Sequence, residues 1–318
     1  MTLILDEYSL LTVYTAMGIY TLAFVMFAID MAKRSTSKPV PVSVGSHRRQ
    51  SDAQGAVATL QKTEPPRQQP SRYKFERIAF ALVVLGWMFH AAGVALRGMA
   101  QGFVPWANMY EFALISSALI IGVFIVIQWW QNLKFLGVYI TGFTLITLGV
   151  GTVNFYVPVK PLPPALDSYW LIIHVIVASL GTALFAIGAG LAIIQLLQTR
   201  REAGKKSLAL LKTLPDAMKL ENLTYFTTVI GFVFWTFTLI AGSIWAERSW
   251  GRYWGWDTKE VWTFIIWVIY AGYIHARATR GWRGTRSAWL AIIGFLAVIF
   301  NYAIVNVFIP GLHSYSGL

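Results

Sequence analysis

Residues 168–197 read SYWLIIHVIVASLGTALFAIGAGLAIIQLL, a run without a single Asp, Glu, Lys or Arg. A helix that crosses a hydrocarbon core needs roughly 20 predominantly apolar residues at 1.5 Å each, and this run exceeds that length. Outward from it, seven more apolar stretches fall near 8–30, 78–98, 109–130, 135–157, 223–245, 259–276 and 287–309. All twelve prolines lie outside these spans, as expected where each span must satisfy its own backbone hydrogen bonds in lipid. The 318 residues are 56% hydrophobic and 13% charged, against roughly 25% charged in soluble domains. The expected fold is all-α: a polytopic transmembrane bundle of about eight helices, in contact with membrane lipid.

Charge sets the orientation. With the amino terminus outside, the inner segments 31–77, 131–134, 199–222 and 277–286 hold 21 of the 26 Lys and Arg residues. The outer segments hold only Arg97, Lys160, Arg248, Arg252 and Lys259. This asymmetry predicts both termini on the outer face of a multi-pass protein in the plasma (cytoplasmic) membrane. The same sorting accounts for the net charge of +12 and argues against a nucleic-acid partner. A cleavable signal peptide is not expected, because Asp6 and Glu7 precede the first apolar stretch where a basic region belongs. Cysteine is absent, so thiol chemistry belongs to partners.

Three units follow: a first transmembrane helix over 1–30, a basic cytoplasmic linker over 31–77, and a seven-helix core over 78–318. The linker is rich in Pro, Ser, Gln and basic residues, a composition that cannot bury a core and predicts disorder. His47 lies within it and takes no role. The informative polar segments all face outward, above all the loop 246–258.

Four tryptophans, Trp250, Trp254, Trp256 and Trp262, cluster in WGRYWGWDTKEVW, residues 250–262. An interfacial aromatic belt explains Trp106, Trp129, Trp130 and Trp170 well. It explains less well a loop in which rings, glycine and charge alternate so densely. Gly251 and Gly255 would let a flat ligand approach the backbone, and Arg252 or Lys259 stand ready for its carboxylates. Such a platform suits a planar, largely apolar macrocycle.

Imidazole is an apt axial ligand for haem iron, and two complete six-coordination. Topology places His174 at the outer end of the fifth helix and His313 in the tail, in GLHSY. Singly, His174 reads as a core histidine and His313 as a solvated one. Together, flanking the tryptophan loop, they outline a metal site. His275 lies about sixteen residues into the seventh span, roughly 24 Å from the outer surface, and His90, in the second span, lies about seven residues from that span's outer end, roughly 10 Å deep. That difference in depth forbids a shared iron without a tilt or break. The alternatives are an interfacial role for His275 beside Arg277 and a packing or relay role for His90.

The spacing W-G-x-x-W-x-W-D followed by K-E-x-W, at Trp250, Gly251, Trp254, Trp256, Asp257, Lys259, Glu260 and Trp262, resembles the tryptophan-rich signature of the CcsA (ResC) family of system II cytochrome c biogenesis. P-x-L-x-S-x-W-L-x-x-H, ending at His174, and G-L-H-S-Y around His313 are similar to the family's two external haem-ligand contexts. NMYEF, residues 108–112, is similar to a family loop, and the resemblance covers roughly residues 78–318. It implies that His275 matches a transmembrane histidine thought to bind haem in transit. It also implies binding and presentation of haem b at the outer face, for addition of two thiols of an apocytochrome c C-x-x-C-H segment across the haem vinyl groups. The chain would then be one component of a haem lyase complex, with a CcsB (ResB)-type membrane subunit and a thioredoxin-like thiol reductant as further partners. Export of haem through the bundle and supply from outside both fit.

Within the loop, Asp257 has two readings: a catalytic or orienting carboxylate, or the N-cap of the seventh helix with Glu260 completing a capping box. Two rival functions stand against the main one. A haem b electron-transfer subunit would need histidines paired at matched depth. A small-molecule transporter would need charge or broken helices at mid-membrane, and the spans carry almost none.

Overall fold

A computed structural model describes residues 2–36, 74–160, 162, 166–204, 211–279 and 282–313. The described residues form helices without strands: α1 (Thr2–Thr36), α2 (Lys74–Gln101), α3 (Met109–Ile127), α4 (Gly137–Asn154), α5 (Tyr169–Glu202), α6 (Ala217–Trp250), α7 (Thr258–Ala278) and α8 (Thr285–Phe300). A π-helical turn, Asn301–Val305, and a last helical turn, α9 (Asn306–Phe308), prolong α8. Seven of these helices, α1 to α6 and the α8 segment, are long and apolar enough to cross a membrane. The exception, α7, carries Lys259, Glu260, His275 and Arg277 near its ends, and many of its apolar positions are Trp or Tyr. Its path still runs the length of the bundle. Asp257 caps its start beside the end of α6, whereas Arg277 bonds Glu221 and Asn222 at the start of α6.

The middle of the predicted linker, residues 37–73 with His47, lies outside the described residues. At its edges α1 continues through Thr36 and α2 begins at Lys74. There Arg34 bridges Asp30 of α1 and Glu76 of α2.

Alternation of the helices is fixed by polar contacts at the other end. Arg97, fully buried near the end of α2, binds Asp6 of α1 at 2.5 Å and Glu111 of α3 at 2.8 Å. It also donates to the Val157 carbonyl beyond α4 at 2.8 Å. Tyr156 donates to the second oxygen of Asp6 at 2.8 Å. Glu111 belongs to the NMYEF segment, in which Asn108 caps α3 through the Glu111 amide. The motif therefore ties four chain segments together through one buried cation, and α1 is part of that arrangement.

Between the ends the helices meet on small residues, which drive close packing where lipid offers no hydrophobic gradient. A Cβ on Gly231 of α6 would stand 2.9 Å from the Phe185 ring of α5. Phe185 in turn stacks on Tyr270 of α7 at 3.6 Å between centroids. This apolar layer, with Trp235 and Phe295, is the floor on which the site rests.

Candidate functional site

The site forms where α5 starts, α6 ends, α7 starts and the chain beyond α8 returns. His174, in the second turn of α5, makes a 3.0 Å hydrogen bond between Nδ1 and the Thr238 carbonyl of α6. A carbonyl only accepts, so Nδ1 carries the proton and Nε2 keeps its lone pair. One turn along α6, Gly242 gives the ring room: a Cβ there would lie 2.7 Å from His174 Cε1. Trp245 stacks on the same imidazole, with centroids 5.9 Å apart and planes 18° from parallel.

His313 reaches this point from the tail. Its Nδ1 lies 2.7 Å from Asp257 Oδ2, and its ring meets Trp245 at 5.5 Å and Trp250 at 4.7 Å, both edge-on. Asp257 also accepts from the Leu312 amide at 3.0 Å, so two consecutive tail residues hang on one carboxylate. The hydrogen bond from His313 holds the Asp257 carboxyl down at about 2, while burial lowers the His313 imidazole despite that partner. Both shifts lead to one state at neutral pH: an ionised carboxylate accepting from a neutral imidazole. His313 is thus fixed in the same tautomer as His174, with Nε2 unprotonated. A carboxylate or carbonyl behind each ring is the arrangement that orients metal-binding histidines.

Both histidines line one cavity of about 350 Å³, within the range of small-molecule sites. Its walls are Trp106, Phe112, Phe143, Trp235 and Trp245 with aliphatic residues of α3, α4 and α8, and Lys259 is its charged side chain. A smaller cavity of about 70 Å³, again lined by both histidines and Lys259, adjoins Trp254. The donor set and the apolar walls fit a planar macrocycle with an iron that takes two imidazoles.

The tryptophan loop does not form a single shelf. Trp250 packs behind His313, and Trp254 borders the smaller cavity and meets Trp256 at right angles, 6.0 Å away. Trp256 is 76% exposed, on a left-handed backbone with φ of 59°. Trp262 turns to Phe300 of α8, 4.4 Å between centroids. The loop divides because Gly251, at φ 70°, ends α6 with its amide on the Glu247 carbonyl, and Asp257 then starts α7. Asp257 and Glu260 complete the capping box, and Glu260 Oε2 also accepts from the Gly255 amide at 2.8 Å. Asp257 therefore caps a helix and orients His313 at once.

The remaining histidines lie apart. His90 is fully buried, with Nε2 2.9 Å from the Leu114 carbonyl and Nδ1 3.4 Å from the Tyr20 hydroxyl. Because α2 continues to Gln101, His90 stands eleven residues, roughly 16 Å, from that end of the helix. His275 is exposed near the far end of α7. Neither lines the cavity that His174 and His313 share. Several site residues had no signal in the sequence: Trp245, Gly242, Thr238 and Asn306 sit in ordinary apolar helix text. Only the meeting of α6 with α5, and of α9 with α7, reveals them.

Comparison with known proteins bears on the whole bundle. Residues 106–313 match the model of a family described as cytochrome C assembly protein. The cytochrome c biogenesis protein CcsA of Guillardia theta is 33% identical over 259 residues, covering 76% of this chain and 86% of that protein. That of Synechococcus sp. strain CC9902 is 31% identical over 264 residues, 74% of this chain and 85% of its own. The protein of the same name from Chlorella vulgaris is 34% identical over 256 residues, 70% and 81%. Among solved structures, cytochrome c haem lyase CcmF superposes with a TM-score of 0.64 at 17% identity. The match covers 94% of this chain and 46% of that longer one, a likeness of fold. With the family model matching most of its length, this chain belongs to the cytochrome c assembly protein family.

Proposed function

We propose that this chain serves cytochrome c maturation by holding haem b between His174 and His313 and presenting it for covalent attachment to apocytochrome c. Membership of the family and relatives named for cytochrome c biogenesis support the process. The observation that carries the molecular reading is the pair of imidazoles on one apolar cavity, each with Nδ1 committed to an acceptor.

When bound, haem would be held by His174 and His313 through its iron and would supply two vinyl groups for addition of cysteine thiols. The chain's own residues do the rest. Thr238 and Asp257 hold the two imidazoles with their Nε2 lone pairs available. His174 and His313 would both hold the iron through Nε2, which would keep oxygen from it. Trp245 spaces the two histidines through contacts on both rings, and the apolar walls exclude water from the macrocycle. Trp250 and Trp254 shield the edge towards the loop, while exposed Trp256 offers a contact for a partner. Asp257 acts by orienting His313.

The basic asymmetry supports an extracytoplasmic position for this end of the bundle, in a plasma membrane. A CcsB/ResB-type subunit, an apocytochrome c with a C-x-x-C-H segment and a thioredoxin-like thiol reductant are the partners this role requires. At the other end, His275 would contact haem in transit, a role its exposure supports, with a partner supplying the second ligand. His90 is a packing or relay residue.

Replacing His174 or His313 by Gly, in the presence of the partner subunit, tests the assignment. Each variant should lose cytochrome c maturation, and added imidazole should restore part of it by filling the vacated coordination position. Normal maturation in both variants without imidazole would refute the axial pair.

A further inference from the structure

Lys259 is the basic side chain that no part of the mechanism above uses. It stands in the first turn of α7, half-buried, and lines the main cavity and a smaller one beside both histidines, and a third beside His313 and Asn306. Its Nζ hydrogen-bonds the side-chain oxygen of Asn306, in the last turn beyond α8. It makes no ion pair among the described residues, and the two nearest acids along the chain are committed elsewhere. Asp257 holds His313 and the Leu312 amide, and Glu260 holds the amides of Gly255 and Asp257. Asp257 acts on this charge from a distance, but a cation against apolar walls whose side-chain hydrogen bond goes to a neutral amide is costly unless an anion bonds it directly.

Arg252, the other basic residue of the loop, is placed differently. Its guanidinium lies over Gly255, occupying the space a Cβ would take there, and it lines none of the cavities that both histidines share.

We propose that Lys259 is the carboxylate anchor of the cavity: its ammonium moves from Asn306 to a propionate of the bound porphyrin and sets the macrocycle's in-plane orientation. This rests on the haem reading above and adds a specificity to it. Two imidazoles alone would hold the iron without choosing the orientation of the ring around it. A single off-axis charge removes that freedom, and so decides which edge of the porphyrin faces the loop. Asn306 holds the ammonium in place until the carboxylate arrives, and its own amide nitrogen is kept by Met109 Sδ at 3.3 Å.

The test is a titration of purified protein in detergent with ferric protoporphyrin haem and, separately, with its dimethyl ester, followed by Soret absorbance. Wild-type protein should prefer the free acid by roughly 10-fold or more, the value of one charge-assisted hydrogen bond. Lys259→Gln, which keeps a donor for Asn306 and loses only the charge, should reduce that ratio towards one without changing affinity for the ester. Lys259→Met should do the same, and Arg252→Gln should leave the ratio at its wild-type value. Unaltered ester affinity reports that each variant is folded. A wild-type ratio in Lys259→Gln and Lys259→Met overturns the anchor and leaves the haem site standing. Failure of wild-type protein to bind either compound overturns the haem reading, and the anchor with it.

Discussion

Substituting Gly242 by Ala separates the stability of the bundle from its ligand chemistry. The added Cβ would lie 2.7 Å from His174 Cε1 and 2.8 Å from Nδ1, whereas ordinary contact begins near 3.4 Å. The ring must retreat from α6 by roughly 0.6–0.7 Å. Thr238 lies on the same face of α6 one turn away, so this retreat stretches the 3.0 Å bond to its carbonyl beyond useful hydrogen-bond length. The lost bond costs about 1 kcal/mol, and Ala in place of Gly in a helix interior returns about 1 kcal/mol. Global stability therefore changes by less than about 1 kcal/mol. The imidazole, however, loses both its position and the partner that fixes its tautomer, a loss worth roughly 10–100-fold in metal affinity. Haem titration and the low-spin absorption spectrum expected of the proposed bis-imidazole complex measure the second effect, and thermal unfolding in detergent measures the first. Wild-type haem affinity with an unchanged low-spin spectrum in Gly242→Ala would refute the reasoning.

Other outcomes follow from single contacts. Asp257→Ala removes the α7 cap and both tail contacts, so it should lose haem and about 1 kcal/mol of stability. Asp257→Asn keeps a capping oxygen and should retain more of both, as titration and melting will show. Arg97→Met leaves Asp6 and Glu111 buried without their cation and should destabilise the bundle by about 3–5 kcal/mol, read from thermal unfolding. His275→Ala should lower the haem that co-purifies while the protein still inserts, and unchanged haem content would remove His275 from the route. Cysteines introduced at Ser51 and Ser314, both outside the described residues, should label from opposite sides of the membrane. Labelling of both from one side would overturn the proposed orientation.

The sequence alone determined the all-helical, membrane-spanning character, because the length of an apolar run and the exclusion of proline are local consequences of lipid as solvent. It also marked His174, His313 and the capping pair Asp257–Glu260, since fixed spacing along one chain preserves a motif's chemistry. It did not reveal how the tryptophans divide. Trp250 to Trp262 are close in sequence, yet an αL glycine and a new helix between them send their rings to different neighbours. Nor did it reveal Trp245, Gly242 or the partnership of Lys259 with Asn306. Those depend on which faces of α5, α6, α7 and α9 meet, and in a bundle whose helices are apolar on every side, periodicity does not choose a face. Close packing on small residues and a few buried polar contacts do, and those exist only once the helices are together.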